Sequence, residues 1–586
     1  MAVSKAEFGS DVVVDLLKLL GIEYTAFNPG ATFRGIHDSI VNYGGNREPE
    51  VIECCHEEIS VALAHGYAKA SGKLMCAILH DIVGLQHGSM GIFNAWCDRV
   101  PVMVLGGTGP MDITKRRPWI DWIHTALVQG NLVRDYVKWD DQPANLASVP
   151  EALIRAYRIA VTEPKAPVYV NFDADIQEEV VTEPPLIPDL RRYRPPGPIQ
   201  GDPTAMEQAA AWLVGAEHPV IIADMVGRNS KAAEALVRLA ELLGAAVLDK
   251  GARYNFPSTH PLDLSGADRE LLAEADVVLA LDMSDLARAI TTVDKATRAY
   301  RFLIREETKI IHICLNELLI RSLAHDFQRL QPVDLPILAD TSIGLPTLVQ
   351  LCEDRLKRDA KRQEAIRARA AALGKRHDTL RQKEREQMQK AWDARPISTA
   401  RLTAEVWEVI KDEDWVLVNG EAGGWPRRLW PMNRPDQYLG RSGGAGVGYG
   451  MGASIGAALA HKGSGKLCVD LQADGDMLYT PSALWTAAHH QIPLLVVMHN
   501  NRSYWNSEEH AEELAHVRKR PVENAPIGTM IREPNVDFAK LAQSFALHGE
   551  GPIEDPREIR PAVQRALKVV KDQGTLALVD VVCQMR

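Results

Sequence analysis

The sequence predicts an α/β protein of three successive doubly wound domains, each a parallel sheet covered by helices on both faces. Three observations carry that expectation. The chain of 586 residues is too long for one hydrophobic core. Short β-branched runs alternate with helix-like stretches along most of it, the pattern of parallel sheets. Two segments of different composition break the alternation and leave three blocks of similar size.

The first block, residues 1–177, runs through VVVDLLKLLG, YTAFNPG, EEISVALAHGYAKASG, LMCAIL, VPVMVLGG and APVYVNF. A proline- and charge-rich stretch at 178–203, EEVVTEPPLIPDLRRYRPPGPIQGDP, reads as a linker. The second block, 204–350, offers HPVIIAD, AAVLDKG, ADVVLALD and TKIIHICL as strands. Residues 351–395 are dense in interleaved acids and bases, which predicts a charged helical linker rather than a nucleic-acid arm. The third block, 396–586, has strands at WVLVNG, KLCVDLQ, PLLVVMHN and TLALVDVV.

Composition narrows the partners. A formal net charge of −11 and a pI near 5.9 give no electrostatic footprint for nucleic acid or an anionic membrane, so small metabolites are expected. No apolar run is long enough to span a bilayer, and MAVSKAEFGSDVV lacks a signal-peptide pattern, so a cytoplasmic location is expected. The eight cysteines lack CxxC or zinc-ribbon spacing and read as reduced, mostly buried thiols.

Chemistry concentrates in the third block. Ligands of parallel sheets bind beyond the carboxyl ends of strands. Asp474 follows KLCVDLQA, and Asn501 follows PLLVVMHN, a strand-helix-strand distance later. An acid and an amide oxygen together suit a hard cation shared with phosphate oxygens, and Gly475 would let the backbone approach a phosphate. Asp-Gly and Asn-Asn are also ordinary turn residues, so residue chemistry alone leaves both readings open.

The stretch from QADGDM to HNN resembles the diphosphate-and-magnesium motif of thiamine-diphosphate-dependent enzymes, with Ala473 in place of its first glycine. The resemblance implies magnesium on Asp474, the Asn501 side chain and the Ser503 main-chain carbonyl. It places Gly475, Asp476 and Asn501 beside the cofactor. In RSGGAGVGYGMG it sets Ala445 near the cofactor and Val447 beneath its bend, where the family usually has a larger side chain. Asp476 also reads as a turn or helix-start residue.

In the first block, CCHEEISVALAHGYAKASGK resembles the family segment that carries the activating glutamate, which falls on Glu57. An acid in the first turn of a helix also has a local electrostatic reason, worth about 0.3–1 kcal/mol, and Glu58 is the neighbour most easily confused with it. The middle block resembles the family's central domain. Some members bind a flavin or ADP there, and no residue pattern here establishes either.

The substrate is approached through AILHDIVGLQHGSMGIFNAWCDRVP and FNPGATFRGI, which resemble benzoylformate decarboxylase and place His80 on its catalytic histidine. Histidine suits proton transfer near neutral pH. The family's serine after Asn-Pro-Gly is Ala31 here, and its second active-site histidine, in the central domain, has no counterpart near LALDMSDLARAI. NNRSYWNSEEH leans towards acetolactate-synthase-like proteins, and Tyr504, Trp505 and Glu508 are expected near the site mouth, with His87 a further substrate-side candidate.

Together these resemblances imply a lyase or carboligase for a 2-oxo acid, with Glu57 and His80 as catalytic residues. A 2-hydroxyacyl-CoA lyase and a catalytically inactive cofactor-binding regulator are the alternatives. Because the family's cofactor spans two subunits, a homodimer is the expected minimum and a homotetramer the expected assembly.

Overall fold

The computed structural model describes residues 5–117, 123–183, 185–294, 297–318, 329–420 and 422–585. Its architecture is three parallel α/β sheets in sequence. The first holds β1 (Tyr24–Phe27), β2 (Glu50–Glu53), β3 (Met75–Leu79), β4 (Val102–Thr108), β5 (Asp140–Asp141) and β6 (Val168–Asp173) in the order β2-β1-β3-β4-β6-β5. Every pairing in it is parallel. The chain reverses its direction of winding between β1 and β3, so loops leaving these two strands open into one crevice.

The second sheet holds β7 (Pro219–Ala223), β8 (Ala246–Asp249), β9 (Val277–Leu281), β12 (Lys309–Cys314) and β13 (Leu335–Leu338), ordered β13-β12-β9-β7-β8. A small antiparallel hairpin, β10 (Thr291–Val293) with β11 (Tyr300–Phe302), stands apart from it. The third sheet holds β14 (Trp415–Asn419), β15 (Leu467–Ala473), β16 (Leu495–Asn500), β17 (His548–Ile553) and β18 (Ala577–Val582), ordered β14-β15-β16-β18-β17. The central strands β3, β9 and β16 are buried along their whole length, which is why β3 and β9 read as continuous apolar runs and β16 as one that ends in His499–Asn500.

Two helices position the first-block residues. Helix α1 (Glu57–Ser71) starts at His56, whose ring accepts the Glu58 amide, and stops at Gly72 with φ 72°. Helix α2 (Asp81–Cys97) follows β3 directly. The charged segment after the second sheet forms α3 (Ala360–Gln389), whose last turns pack near Arg427 and Arg428 of the third block.

Helix α4 (Tyr449–Ala460) is almost wholly buried and lies on α1. A Cβ on Gly66 would sit 1.9 Å from the Ala453 carbonyl, and one on Gly456 would sit 1.9 Å from that of Leu63. The first and third sheets are therefore joined by a backbone-to-backbone seam that only small residues allow.

Side chains from all three blocks meet at one buried cluster. Asp98 binds Lys69 Nζ at 2.9 Å and His65 Nε2 at 3.0 Å. Arg253, from the second block, donates to the Leu439 carbonyl at 2.8 Å and the Asp98 carbonyl at 3.3 Å. All eight cysteines are free, and seven are buried. Among the described residues no helix is long and apolar enough to cross a membrane.

Candidate active site

In the third sheet β15 and β16 are paired in register, Ala473 opposite His499, so the residues just beyond them are neighbours. Asp474 opens a short helix, Asp474–Met477, and is buried. Its Oδ1 accepts the Gly475 amide at 2.9 Å, while Oδ2 is buried and within hydrogen-bond geometry of no partner among the described residues. Burial pushes this carboxyl up to about 6, against the pull of the Gly475, Arg502 and Ser503 amides. Asn501 Oδ1 accepts the Ser503 amide at 3.0 Å.

This arrangement fits a hard divalent cation: oxygen donors only, at the ends of adjacent strands, with one buried carboxylate oxygen left over that a cation would satisfy.

The segment after Asn501 is pinned down. Tyr504 N donates to the Thr529 carbonyl at 2.8 Å and Ile531 N to the Arg502 carbonyl at 2.8 Å. Ser503 Oγ donates to buried Glu508, which also accepts Thr529 Oγ1 at 3.3 Å. Trp505 begins helix α5 (Trp505–Arg518) and is half-buried. Glu508 therefore closes the turn rather than facing a mouth.

Tyr504 lies over Gly475, where a Cβ would come within 2.6 Å of its ring. The absence of a side chain at Gly475 admits this ring.

Asp476, expected beside the cofactor or as a turn or helix-start residue, lies in the first turn of the Asp474–Met477 helix. Its carboxylate is taken up by the Gly448 amide at 2.7 Å, the Gly450 amide at 2.9 Å and Gln472 Nε2 at 2.7 Å, so it clamps the glycine-rich turn to β15. That turn carries exposed Ala445, at φ 50°, and half-buried Val447. It rests on α2: Ser442 Oγ donates to Asn94 Oδ1 at 2.7 Å, and a Cβ on Gly446 would meet the Met90 side chain.

Across the seam, Glu57 is buried, with Oε1 accepting Asn28 Nδ2 at 3.2 Å and Oε2 facing His87 Nδ1 at 3.2 Å. His87 thus stands at the glutamate, with its ring stacked 5.0 Å from that of His56. His56, Glu57 and His87 have ligand-like spacing, yet His56 Nδ1 already accepts the Glu58 amide at 3.1 Å. Glu58 points the other way, to the start of α4. Burial first and Asp476 second push its carboxyl up to about 7. No hydrogen bond or ion pair joins Glu57 to Asp474 among the described residues.

His80 lies beyond β3, and Nδ1 is 3.0 Å from Thr32 Oγ1, on the turn after β1. Ala31, beside Thr32, is exposed. His80 Nε2 is 3.1 Å from Nδ1 of His124. Neither Thr32 nor His124 stood out in the sequence. The only hint of Thr32 was the Asn-Pro-Gly turn two residues before it, and His124 falls in a stretch without helix or strand periodicity.

A parallel-sheet protein with an acid-amide oxygen pair beyond one sheet and a buried, oriented glutamate beyond another has the construction of an enzyme that holds a diphosphate cofactor between two α/β domains. Residues 8–131 match the N-terminal TPP-binding domain of thiamine pyrophosphate enzymes, 206–349 the central domain, and 419–581 the C-terminal TPP-binding domain. The chain belongs to the thiamine pyrophosphate enzyme family.

Among its relatives, the acetolactate synthase large subunit of Haemophilus influenzae is 23% identical over 589 residues, covering 98% of this chain and 94% of that one. Benzoylformate decarboxylase of Pseudomonas aeruginosa is 24% identical over 511 residues, covering 84% and 85%. In fold the chain is similar to the thiamine diphosphate-dependent 4-hydroxybenzoylformate decarboxylase of Rhodococcus jostii RHA1, with a TM-score of 0.75, 18% identity and 99% of both chains covered.

Proposed function

We propose that this protein is a thiamine-diphosphate-dependent lyase or carboligase that breaks or forms the C–C bond next to the carbonyl of a 2-oxo acid. The observation that carries the reading is the buried Asp474 Oδ2, which makes no hydrogen bond among the described residues and lies beside the Asn501–Ser503 turn. Asp474 Oδ2, Asn501 Oδ1 and the Ser503 carbonyl would hold magnesium and, through it, the diphosphate.

When bound, the cofactor supplies a nucleophilic ring carbon and a sink for the electrons of the broken bond. Glu57 would exchange a proton with its pyrimidine nitrogen. Asn28 and His87 fix one carboxylate oxygen each, so the glutamate is oriented before the cofactor arrives. Val447 would support the bend of the cofactor from the glycine-rich turn.

The resemblance to two-subunit family members further supports a homodimer or homotetramer, in which Glu57 of one copy serves Asp474 of another. In the central domain, the cleft beyond β7–β9 is lined by both signs of charge, including Asp224, Lys250, Asp285 and Arg288, and this lining does not select a flavin or ADP.

The test is a screen of aromatic and aliphatic 2-oxo acids and 2-hydroxyacyl-CoAs with thiamine diphosphate and magnesium, wild type beside Glu57→Gln. Turnover of a 2-oxo acid that collapses in the variant is expected. Equal activity in the two would overturn the mechanism, turnover of acyl-CoAs alone would favour the CoA lyase, and a tight cofactor complex inert to every substrate would favour a regulator.

A further inference from the structure

Both ring nitrogens of His80 are engaged within the protein, which removes it from direct contact with a substrate in this arrangement. Its Nδ1 partner, Thr32, is fully buried, and the Thr32 carbonyl accepts Gln177 Nε2 at 2.8 Å, so that end of the chain is sealed. At the other end stands His124, half-buried, with Nδ1 on His80 and with no hydrogen bond at Nε2 among the described residues.

The position of His124 is built rather than incidental. Asp81 is fully buried and held at φ 47°, a region that side-chain-bearing residues rarely adopt. Its carboxylate accepts Thr125 Oγ1 at 3.0 Å and Gln129 Nε2. Gln129 in turn accepts Tyr169 OH at 3.1 Å. The Gly109 amide donates to Thr125 Oγ1 at 3.0 Å, and the Ile82 amide to the His124 carbonyl at 3.4 Å. Behind His80, Gly30 approaches so closely that a Cβ there would lie 2.3 Å from the His80 Cβ.

We propose that His124 is the residue that exchanges a proton with the substrate, and that His80 and Thr32 are positioning residues behind it; this rests on the reading of the chain as a thiamine-diphosphate-dependent lyase. In the charged state the two rings carry three protons, on His124 Nε2, His124 Nδ1 and His80 Nδ1. Loss of the Nε2 proton leaves His124 Nδ1–H donated to His80 Nε2 and His80 Nδ1–H donated to Thr32 Oγ1. Every internal hydrogen bond is thus made in both states, and only the outward nitrogen changes. The relay supplies a second histidine from the first domain, where the central block has no counterpart near LALDMSDLARAI. Among the described residues, the titratable groups tied to the elements that carry the pair are Asp81 at the start of α2 and Tyr169 on β6, both bound to Gln129, and Glu57 with His87, which lie against Gly84 one turn into α2.

The test has two arms. In the first, the full chain without substrate is treated with diethylpyrocarbonate and modification is read per histidine by peptide mass spectrometry. His124 is expected to react at least about tenfold faster than His80, and His124→Gln or Thr32→Val to raise the His80 rate. Faster reaction at His80 in the wild type would overturn the relay whether or not a substrate is known.

In the second arm, on whichever 2-oxo acid the wild type turns over, His124→Gln and His124→Asn are expected to lower kcat roughly 100-fold. KM is expected to change little, cofactor binding to be unchanged, and one limb of the pH profile to be lost. Variants that keep the wild-type pH profile would overturn the assignment. Absence of any turnover by the wild type would instead count against the proposed function and leave the first arm to decide the relay.

Discussion

The two halves of the candidate site are built in different ways. The metal-side half uses residues that directly follow two paired strands: Asp474 after β15 and Asn501 after β16. Its polar contacts are made within a few residues, such as Gly475 N to Asp474 and Ser503 N to Asn501. The proton-side half gathers Asn28, Thr32, Glu57, His80, His87 and His124 from separate segments, with hydrogen-bonded partners 29 to 48 residues apart. An anion-and-metal cradle can be made from local turns, whereas orienting a proton carrier takes side chains that the tertiary fold must deliver.

That contrast can be broken or sharpened by experiment, and the largest effect is expected from the proton side. Glu57→Gln should reduce kcat by roughly 100- to 10,000-fold while magnesium-dependent cofactor retention persists, measured as thiamine diphosphate that co-elutes with the chain. Asp474→Ala should do the reverse. Retention should fall roughly 100-fold, about 3 kcal/mol, and excess cofactor should restore part of the activity. If both variants lose retention equally, the division of labour fails.

Gly475→Ala should lower the denaturant midpoint by an amount worth about 1–3 kcal/mol, because the new Cβ would meet the Tyr504 ring at 2.6 Å. An unchanged midpoint would mean that Tyr504 swings away freely.

Two smaller effects separate by pH. Glu58, raised from 4.5 to about 7, keeps a proton in the folded state that the unfolded chain gives up, so its contribution to stability is lost as pH rises from 4.5 to 7. His65, lowered from 6.5 to about 4 by burial, stays neutral while the unfolded chain binds a proton, so its contribution is lost as pH falls from 6.5 to 4. Glu58→Gln should therefore gain Tm relative to wild type between pH 5 and 8, and His65→Gln should flatten the acid side. Parallel melting profiles for wild type and either variant would refute that shift.

The same contrast explains what the sequence disclosed. The three-sheet fold was legible because buried parallel strands such as MCAIL, and LVVM of β16, are apolar runs. Asp474 and Asn501 were legible because each follows such a run directly. His124 was not, since what gives it meaning is a nitrogen on His80, 44 residues away, and no local periodicity marks that distance. Two other carboxylates show the limit of residue type. Asp476 and Glu508 carry the residue type of a ligand, but their oxygens are used on amides and hydroxyls of neighbouring turns. Residue type shows what a side chain can bind, and only packing shows what it has already bound.

Arg253 gives the whole molecule one last property. From the loop after β8 of the second block, it ties down carbonyls at Leu439 and Asp98 in the other two blocks. Separation of any one block would strand a buried guanidinium beside an ion pair that had lost its cover. The cooperative unit of unfolding is then the entire chain, and heat should dismantle the cofactor cradle and the proton relay in the same step.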